Sequence, residues 1–343
     1  MMRAILMFAA LTLAPAGAFA KTLDVYFIDV EGGQSTLIVT PAGESLLIDA
    51  GWDGFNARDA KRILAAAHGA GLTQIDYLLI THFHSDHDGG VPALARLIPI
   101  RTFIDDGAPI EKGAKILDPF DAYARVRGKN PHVQPKPGDR LPLAGIDVDF
   151  VSARGTTISK PLSGAGQPNA ACASFERRAN DFTENARSIG VRVQFGRFRF
   201  VDLGDLVWNK LGQLVCPDNL IGEADAYLVA HHGNANSAVP ALVAALHPRV
   251  AIMNNGETKG GEPENFATLH GVPGLEDLWQ LHRSANKGVE NAPDTFTANL
   301  DERTGHPITL TASEDGSFTV TNGRTGVSKH YEARPARPSA AGR

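Results

Sequence analysis

Three things are scarce in this 343-residue sequence: cysteine, net positive charge and, beyond the first twenty residues, long apolar runs. Each scarcity excludes something. A membrane-crossing helix needs about 20 consecutive apolar residues, and no later segment supplies them. Lys and Arg number 33 against 38 Asp and Glu, a net charge of −5. That removes bulk attraction for nucleic acid or anionic lipid, although a local basic groove stays open. Charged residues make up 21% and hydrophobic ones 43%. The chain therefore avoids wholesale disorder and suits one large α/β domain, or one domain with an appendage.

The first twenty residues differ from the rest. Arg3 is their single charge, Ile5 to Leu13 are largely apolar, and Ala18-Phe19-Ala20 stands before Lys21. A positive start, a short apolar run and a small-x-small end describe a secretory signal peptide. We expect cleavage after Ala20, a periplasmic or secreted product, and no membrane attachment afterwards. One positive and no negative charge go with the peptide, taking the net charge from −5 to −6. In an oxidising compartment Cys172 and Cys216 are a disulfide candidate.

Leu23 to Val30, Ser35 to Thr40 and Ser45 to Ile48 read as three short strands separated by Gly32-Gly33 and Pro41-Ala-Gly43. Ala57 to His68 shifts to helical spacing, Ile75 to Ile80 is an apolar strand, and Val91 to Leu97 reads as a short helix. Residues 105–142 carry prolines and charges and read as a loop-rich insertion. Strands follow at Ile146 to Val151, Ile189 to Phe195, Phe198 to Leu203, Ala226 to Ala230 and Val250 to Met253, with a helix at Pro240 to Leu246. Two strand groups with helices between them predict two packed sheets with helices outside. Residues 301–332 read as a C-terminal hairpin appendage around Glu314-Asp-Gly316, and 333–343 as a disordered tail. The stretch between 256 and 300 gives little pattern.

The chemistry concentrates in Thr81-His-Phe-His-Ser-Asp-His-Asp-Gly-Gly90. His82, His84, Asp86 and His87 fall within six residues directly after an apolar strand. Packing gives no reason for that spacing. Imidazole and carboxylate together suit zinc, and less exclusively iron or manganese. Alternate residues on extended backbone share a side, so His82 and His84 can reach one ion. Asp86 and His87 come from the following turn and can reach a second. Gly89-Gly90 lets the chain double back beside the site.

The H-x-H-x-D-H pattern resembles the signature of the metallo-β-lactamase superfamily, and further resemblances fall in order along the chain. Leu47-Ile-Asp49-Ala-Gly51 resembles the early turn that packs beneath the metal loop and supports its ligands. Leu203-Gly204-Asp205 resembles the motif whose carboxylate bridges both ions, and His231-His232-Gly233 the last ligand motif. The resemblance implies an αββα sandwich holding two metal ions, usually zinc. His82, His84, Asp86, His87, Asp205 and His232 are the implied ligands. Asp86 also orients water, and His231 faces substrate as a proton donor. Where many members carry a further histidine ligand, this chain reads Glu184-Asn185-Ala-Arg-Ser188, so Asn185 takes the ligand position. Amide oxygen binds zinc more weakly than imidazole.

Asp29-Val30, Gly33 and Leu37-Ile38, with Asn185 and His231-His232-Gly233, are similar to one subgroup of the superfamily. It includes the nuclease-like domain of the DNA-uptake competence protein, with a phosphorylcholine esterase related to it. The competence-type His-Pro-His segment is replaced here by Gly260-Gly-Glu-Pro-Glu264, which argues against a nucleic-acid substrate. The implied activity is a dinuclear metal-dependent hydrolase of small-molecule phosphoesters or phosphodiesters. Two alternatives stand beside it: a lactone or β-lactam hydrolase, and a metal-binding interaction protein. Lys210, Arg197 and the basic insertion (Arg125, Arg127, Lys129, Arg140) are candidates to hold an anionic substrate.

Overall fold

The computed structural model describes residues 22–301 and 303–335. The segment read as a signal peptide and residues 336–343 of the tail lie outside the described residues. Among the described residues no helix is long and apolar enough to cross a membrane.

Strands buried on both faces need apolar residues throughout, and Ser45–Ile48 shows why. Leu46 and Ile48 enter the core between two sheets, while Leu47 faces the outer helix layer. The inner core joins Leu23, Val25, Phe27, Leu46 and Ile48 to Val191, Val193, Phe198 and Phe200 from the opposite sheet. One outer layer packs Ala60, Ile63 and Ala67 of helix Arg58–Gly69 on Leu37, Leu47 and Leu78. The other packs Leu211 and Leu214 of helix Trp208–Val215, with Leu242 and Leu246 of helix Pro240–Leu246, on Val201, Tyr227 and Ala251. The architecture is α/β, an αββα sandwich.

Each sheet has nine strands. The first runs Ser328–Tyr331, Phe318–Asn322, Ile308–Ala312, Leu23–Phe27, Thr36–Val39, Ser45–Ile48, Ile75–Leu79, Ile100–Ile104, His132–Val133. The C-terminal hairpin is thus three strands, and its inner strand pairs antiparallel with the first strand of the chain, Leu23 opposite Ala312. It continues the sheet, because Leu23–Phe27 would otherwise be an open edge with an apolar inner face. The second sheet runs Thr297–Asn299, Asp277–His282, Val250–Met253, Ala226–Leu228, Phe198–Asp202, Gly190–Phe195, Asp147–Ala153, Arg140–Leu141, with Thr156–Thr157 paired beside Asp147–Ala153.

Two segments depart from the sequence reading. Residues 105–142 contain a 14-residue helix, Ala114–Arg127, which buries Ile116 and Tyr123. Pro119 in its first turns and the charges on its outer face hid it. Residues 256–300 supply helix Pro263–His270 and two parallel strands of the second sheet.

Cys172 and Cys216 are disulfide-bonded, 44 residues apart, with 5.6 Å between their Cα atoms. A bridge over a loop of that size stabilises chiefly by restricting the unfolded chain, by about 3–4 kcal/mol. We expect the Cys172→Ser/Cys216→Ser protein to unfold at lower urea by that margin. An unchanged midpoint would show that the bridge constrains nothing.

Candidate metal centre

The centre lies where strand ends of the two sheets meet. His82 to His87 follow Ile75–Leu79, and Asp49 follows Ser45–Ile48. From the other sheet, Asp205 follows Phe198–Asp202, and His231 and His232 follow Ala226–Leu228. The amide of Ile189 donates to the Thr81 carbonyl at 2.9 Å, tying the sheets together beside the site.

Asp205 occupies the middle. Its Oδ2 lies 3.2 Å from His232 Nε2, 3.3 Å from His87 Nε2, 3.5 Å from His231 Nε2 and 3.9 Å from His82 Nε2. Asp86 Oδ2 lies 3.3 Å from both His87 Nε2 and His232 Nε2. One donor atom each from Asp86, His87, Asp205 and His232 falls within 4.8 Å of the others, and all four residues are buried. Next to this set, His82 Nε2 and His84 Nδ1 face each other at 2.9 Å. Asn185 Nδ2 is 3.5 Å from His231 Nε2. Every candidate ligand named from the sequence therefore enters one cluster.

A metal ion suits this cluster. His87 Nε2, Asp205 Oδ1 and both ring nitrogens of His232 are buried without a hydrogen-bond partner, as is Asn185 Oδ1. Native interiors rarely leave so many polar atoms orphaned together, and a divalent cation would satisfy them.

The protonation pattern agrees. Burial works to raise the Asp86 and Asp205 carboxyls. The surrounding positive groups overcome it, His87 and Lys259 at Asp86 and the histidines at Asp205, and hold both well below the usual carboxylate range. Burial lowers His82, favouring the neutral imidazole that metal ligation requires, and it lowers His231 as well. His87 is raised despite its burial, because Asp205, Asp86 and Asp49 surround it. Metal uptake would have to displace that proton.

Behind the donors stands a buried support. His87 Nδ1 lies 2.7 Å from Asp49 Oδ2, which also accepts from Thr81 Oγ1 at 2.8 Å, and Asp49 Oδ1 accepts from the Thr81 amide at 2.8 Å. Ser188 Oγ sits 3.3 Å from His82 Nδ1 and accepts from the Asp205 amide at 3.2 Å. Asp49 has a φ of 62°, a left-handed conformation that asparagine also tolerates. We therefore expect Asp49→Asn to fold and to bind metal 10–100-fold more weakly. Competition against a chromophoric chelator checks this, and unchanged affinity would deny Asp49 the supporting role.

The family model described as metallo-beta-lactamase superfamily matches residues 28–167, the stretch holding the His82–His87 cluster. Over those residues the chain is similar to the metallo-β-lactamase superfamily. A metal-dependent hydrolase of Cupriavidus taiwanensis is 25% identical over 269 residues, 76% of this chain and 84% of that protein. An atrochrysone carboxyl ACP thioesterase of Aspergillus fumigatus is 40% identical over 67 residues, only 20% of each chain. The metallo-beta-lactamase fold protein YhfI of Bacillus subtilis aligns with a TM-score of 0.46 at 12% identity, over 76% of this chain and 96% of that one.

Several residues at this centre escaped the sequence reading. Lys259 Nζ reaches Asp86 Oδ2 and sits 4.8 Å from the centre of the Trp52 ring. Glu111 Oε1 is 3.4 Å from His84 Nε2. Lys259 comes from the poorly patterned stretch just before Gly260, and Glu111 from the insertion. Neither carries a local signal, since each arrives through tertiary folding. Among the cations considered for substrate, Arg127 is paired with Asp105 at 2.7 Å and Arg140 with Asp147 at 2.9 Å. His282 is also spoken for, buried 2.8 Å from Asp29 Oδ1.

Proposed function

We propose that the chain is an exported, dinuclear metal-dependent hydrolase of phosphoester or phosphodiester bonds. The observation that carries the reading is the single buried cluster of Asp86, His87, Asp205 and His232 with His82 and His84 alongside. When bound, divalent ions at such donors supply Lewis acidity and a water activated near neutral pH. His87, Asp86 and His232 would hold one ion, His82 and His84 the other, with Asn185 beside them and Asp205 serving both. Asp86 is the acceptor that orients water. Ser237 Oγ lies 3.4 Å from His231 Nδ1 and fixes its ring. His231 Nε2, 3.5 Å from Asp205 Oδ2, is the atom that would pass a proton to the leaving group.

Charge at the mouth supports an anionic scissile group. The cleft beside His84 and Asp86, about 500 Å³, is lined by Trp52, Lys112 and Lys115 and by the first turn of helix Ala114–Arg127, with Glu111 held against His84. That helix start has no side-chain cap, so its dipole favours a phosphate. A carbonyl reading, lactone or thioester hydrolysis, draws support from the short thioesterase match.

The test is metal analysis together with turnover of bis(p-nitrophenyl) phosphate, p-nitrophenyl phosphorylcholine, a lactone, a thioester and nitrocefin, wild type against Asp205→Ala. Phosphodiester turnover abolished in the variant supports the lead. Carbonyl turnover instead overturns it in favour of the second reading, and bound metal with no turnover at all favours an interaction protein. For export, mass spectrometry of the periplasmic or secreted fraction should find a chain starting at Lys21.

A further inference from the structure

A second cavity, about 370 Å³, lies against the metal centre and takes no part in the chemistry above. It shares two walls with that centre. One is the turn Glu184–Arg187 that carries Asn185, and the other is Val207, two residues past Asp205. Glu184 Oε1 accepts from the Ile110 amide at 2.5 Å, fixing the insertion to the rim.

A short strap builds the far side. It leaves the disulfide at Cys172 and stacks Phe175 on Trp208 with 6.0 Å between ring centres. Asn209 then clamps it, its Oδ1 accepting from the Arg178 amide at 2.9 Å and its Nδ2 donating to the Arg178 carbonyl at 2.7 Å. The position of Arg177 is set by this framework.

The lining is cationic and apolar at once. Of its three cations, Arg187 is paired with Asp106 at 2.7 Å. Arg177 and Lys210 have no carboxylate partner among the described residues, and Lys210 Nζ meets only the Gly155 carbonyl. Burial, then the Arg177 charge, pushes Lys210 below its usual value. Two cations thus share a pocket with no ion pair to either among the described residues. Asp181, also in the lining, gives its Oδ1 to the amide and hydroxyl of Thr183 at 2.7 and 2.6 Å. At the rim, Ile110 is 43% and Phe182 79% exposed, an unusual amount of large apolar surface for one mouth.

We propose that this pocket is the subsite for the non-reacting end of the substrate, and that it takes an organic anion, a carboxylate, sulfonate or phosphate carried on an aromatic or acyl group. The cations Arg177 and Lys210 hold the charge, and Ile110 and Phe182 cover the apolar part. The subsite role rests on the hydrolase reading; the preference for an organic anion does not.

Calorimetric titration of the full, chelator-stripped chain with naphthalene-2-sulfonate separates the two. The wild type should bind it, and Arg177→Ala and Lys210→Met should each weaken binding about tenfold, the loss of one charge-assisted contact. Lys210→Arg should restore affinity, and neutral 2-naphthalenemethanol should bind at least about tenfold more weakly than the sulfonate. Equal affinity of the sulfonate for wild type and Arg177→Ala, an exposed strap residue whose loss spares the core, would overturn the proposal. So would equal affinity for the alcohol. In turnover, the KM of an ester with an anionic tail should rise in the variants at constant kcat, while that of a neutral ester stays. A fall in kcat with KM unmoved would overturn the subsite. Sulfonate binding with no ester turned over would sink the hydrolase reading and uphold the pocket's preference for organic anions.

Discussion

Asp205→Ala should yield a folded protein that has lost at least one of two metal ions and about 10³-fold or more of its turnover. The size follows from position. One carboxylate oxygen stands within 3.9 Å of the ring nitrogens of His82, His87, His231 and His232. Among the described residues no other carboxylate stands within 4 Å of both His82 and the His87–His232 pair, so no neighbour can substitute. Removing a single preorganised charge-stabilising donor typically costs 10²–10³ in rate, and here ion binding itself is lost as well. Elemental analysis of the purified variant beside a turnover assay is the check. Wild-type metal content with wild-type turnover would mean that Asp205 is not a shared ligand. The fold should survive, because the sandwich core lies between the sheets and does not include this residue.

Gly90→Ala should cost more stability than any other single methyl group in the metal loop, about 3 kcal/mol. A Cβ at Gly90 would stand 2.0 Å from the Ala50 carbonyl oxygen, 3.0 Å from its carbon and 3.3 Å from the Trp52 oxygen. All three are backbone atoms, so no rotamer change gives relief and the loop must move away from the Asp49–Gly51 turn. That movement breaks the bonds from the Gly90 amide to the Gly51 carbonyl (2.9 Å) and from the Ala50 amide to the His87 carbonyl (2.8 Å). Since the same turn carries Asp86 and His87, metal affinity should fall with stability. Gly69→Ala is the control: nothing lies within 4 Å of a Cβ there, at the end of helix Arg58–Gly69. It should be neutral or slightly stabilising. Urea unfolding of the two variants decides the matter, and equal midpoints would refute the clash argument.

The parts of the site that could be read in advance are those whose geometry is local. His82 and His84 alternate on extended backbone after an apolar strand, and Asp86 and His87 follow in one turn, so spacing alone brings them together. Asp205 and His232 were legible only because Gly204-Asp205 and His231-His232-Gly233, each after a strand, resemble the superfamily's later ligand motifs. Lys259 and Glu111 were not, because only the packing of distant loops brings them to Asp86 and His84. The helix Ala114–Arg127 was obscured in a similar way. It buries only Ile116 and Tyr123, too few apolar positions to outweigh Pro119 and its charges.

By itself the sequence determined the ligand types, the strand-then-turn placement of each, and the alternation that buries Leu46 and Ile48 inward and Leu47 outward. Those are consequences of backbone period and side-chain chemistry, which act over a few residues. The tertiary structure decided that the C-terminal hairpin completes the first sheet beside Leu23–Phe27, and that Asp205 is central. It also set Arg177 and Lys210 in one pocket, neither of them ion-paired among the described residues. Such pairings depend on which surfaces must be buried against each other, and that is settled only when the whole chain closes around its two sheets.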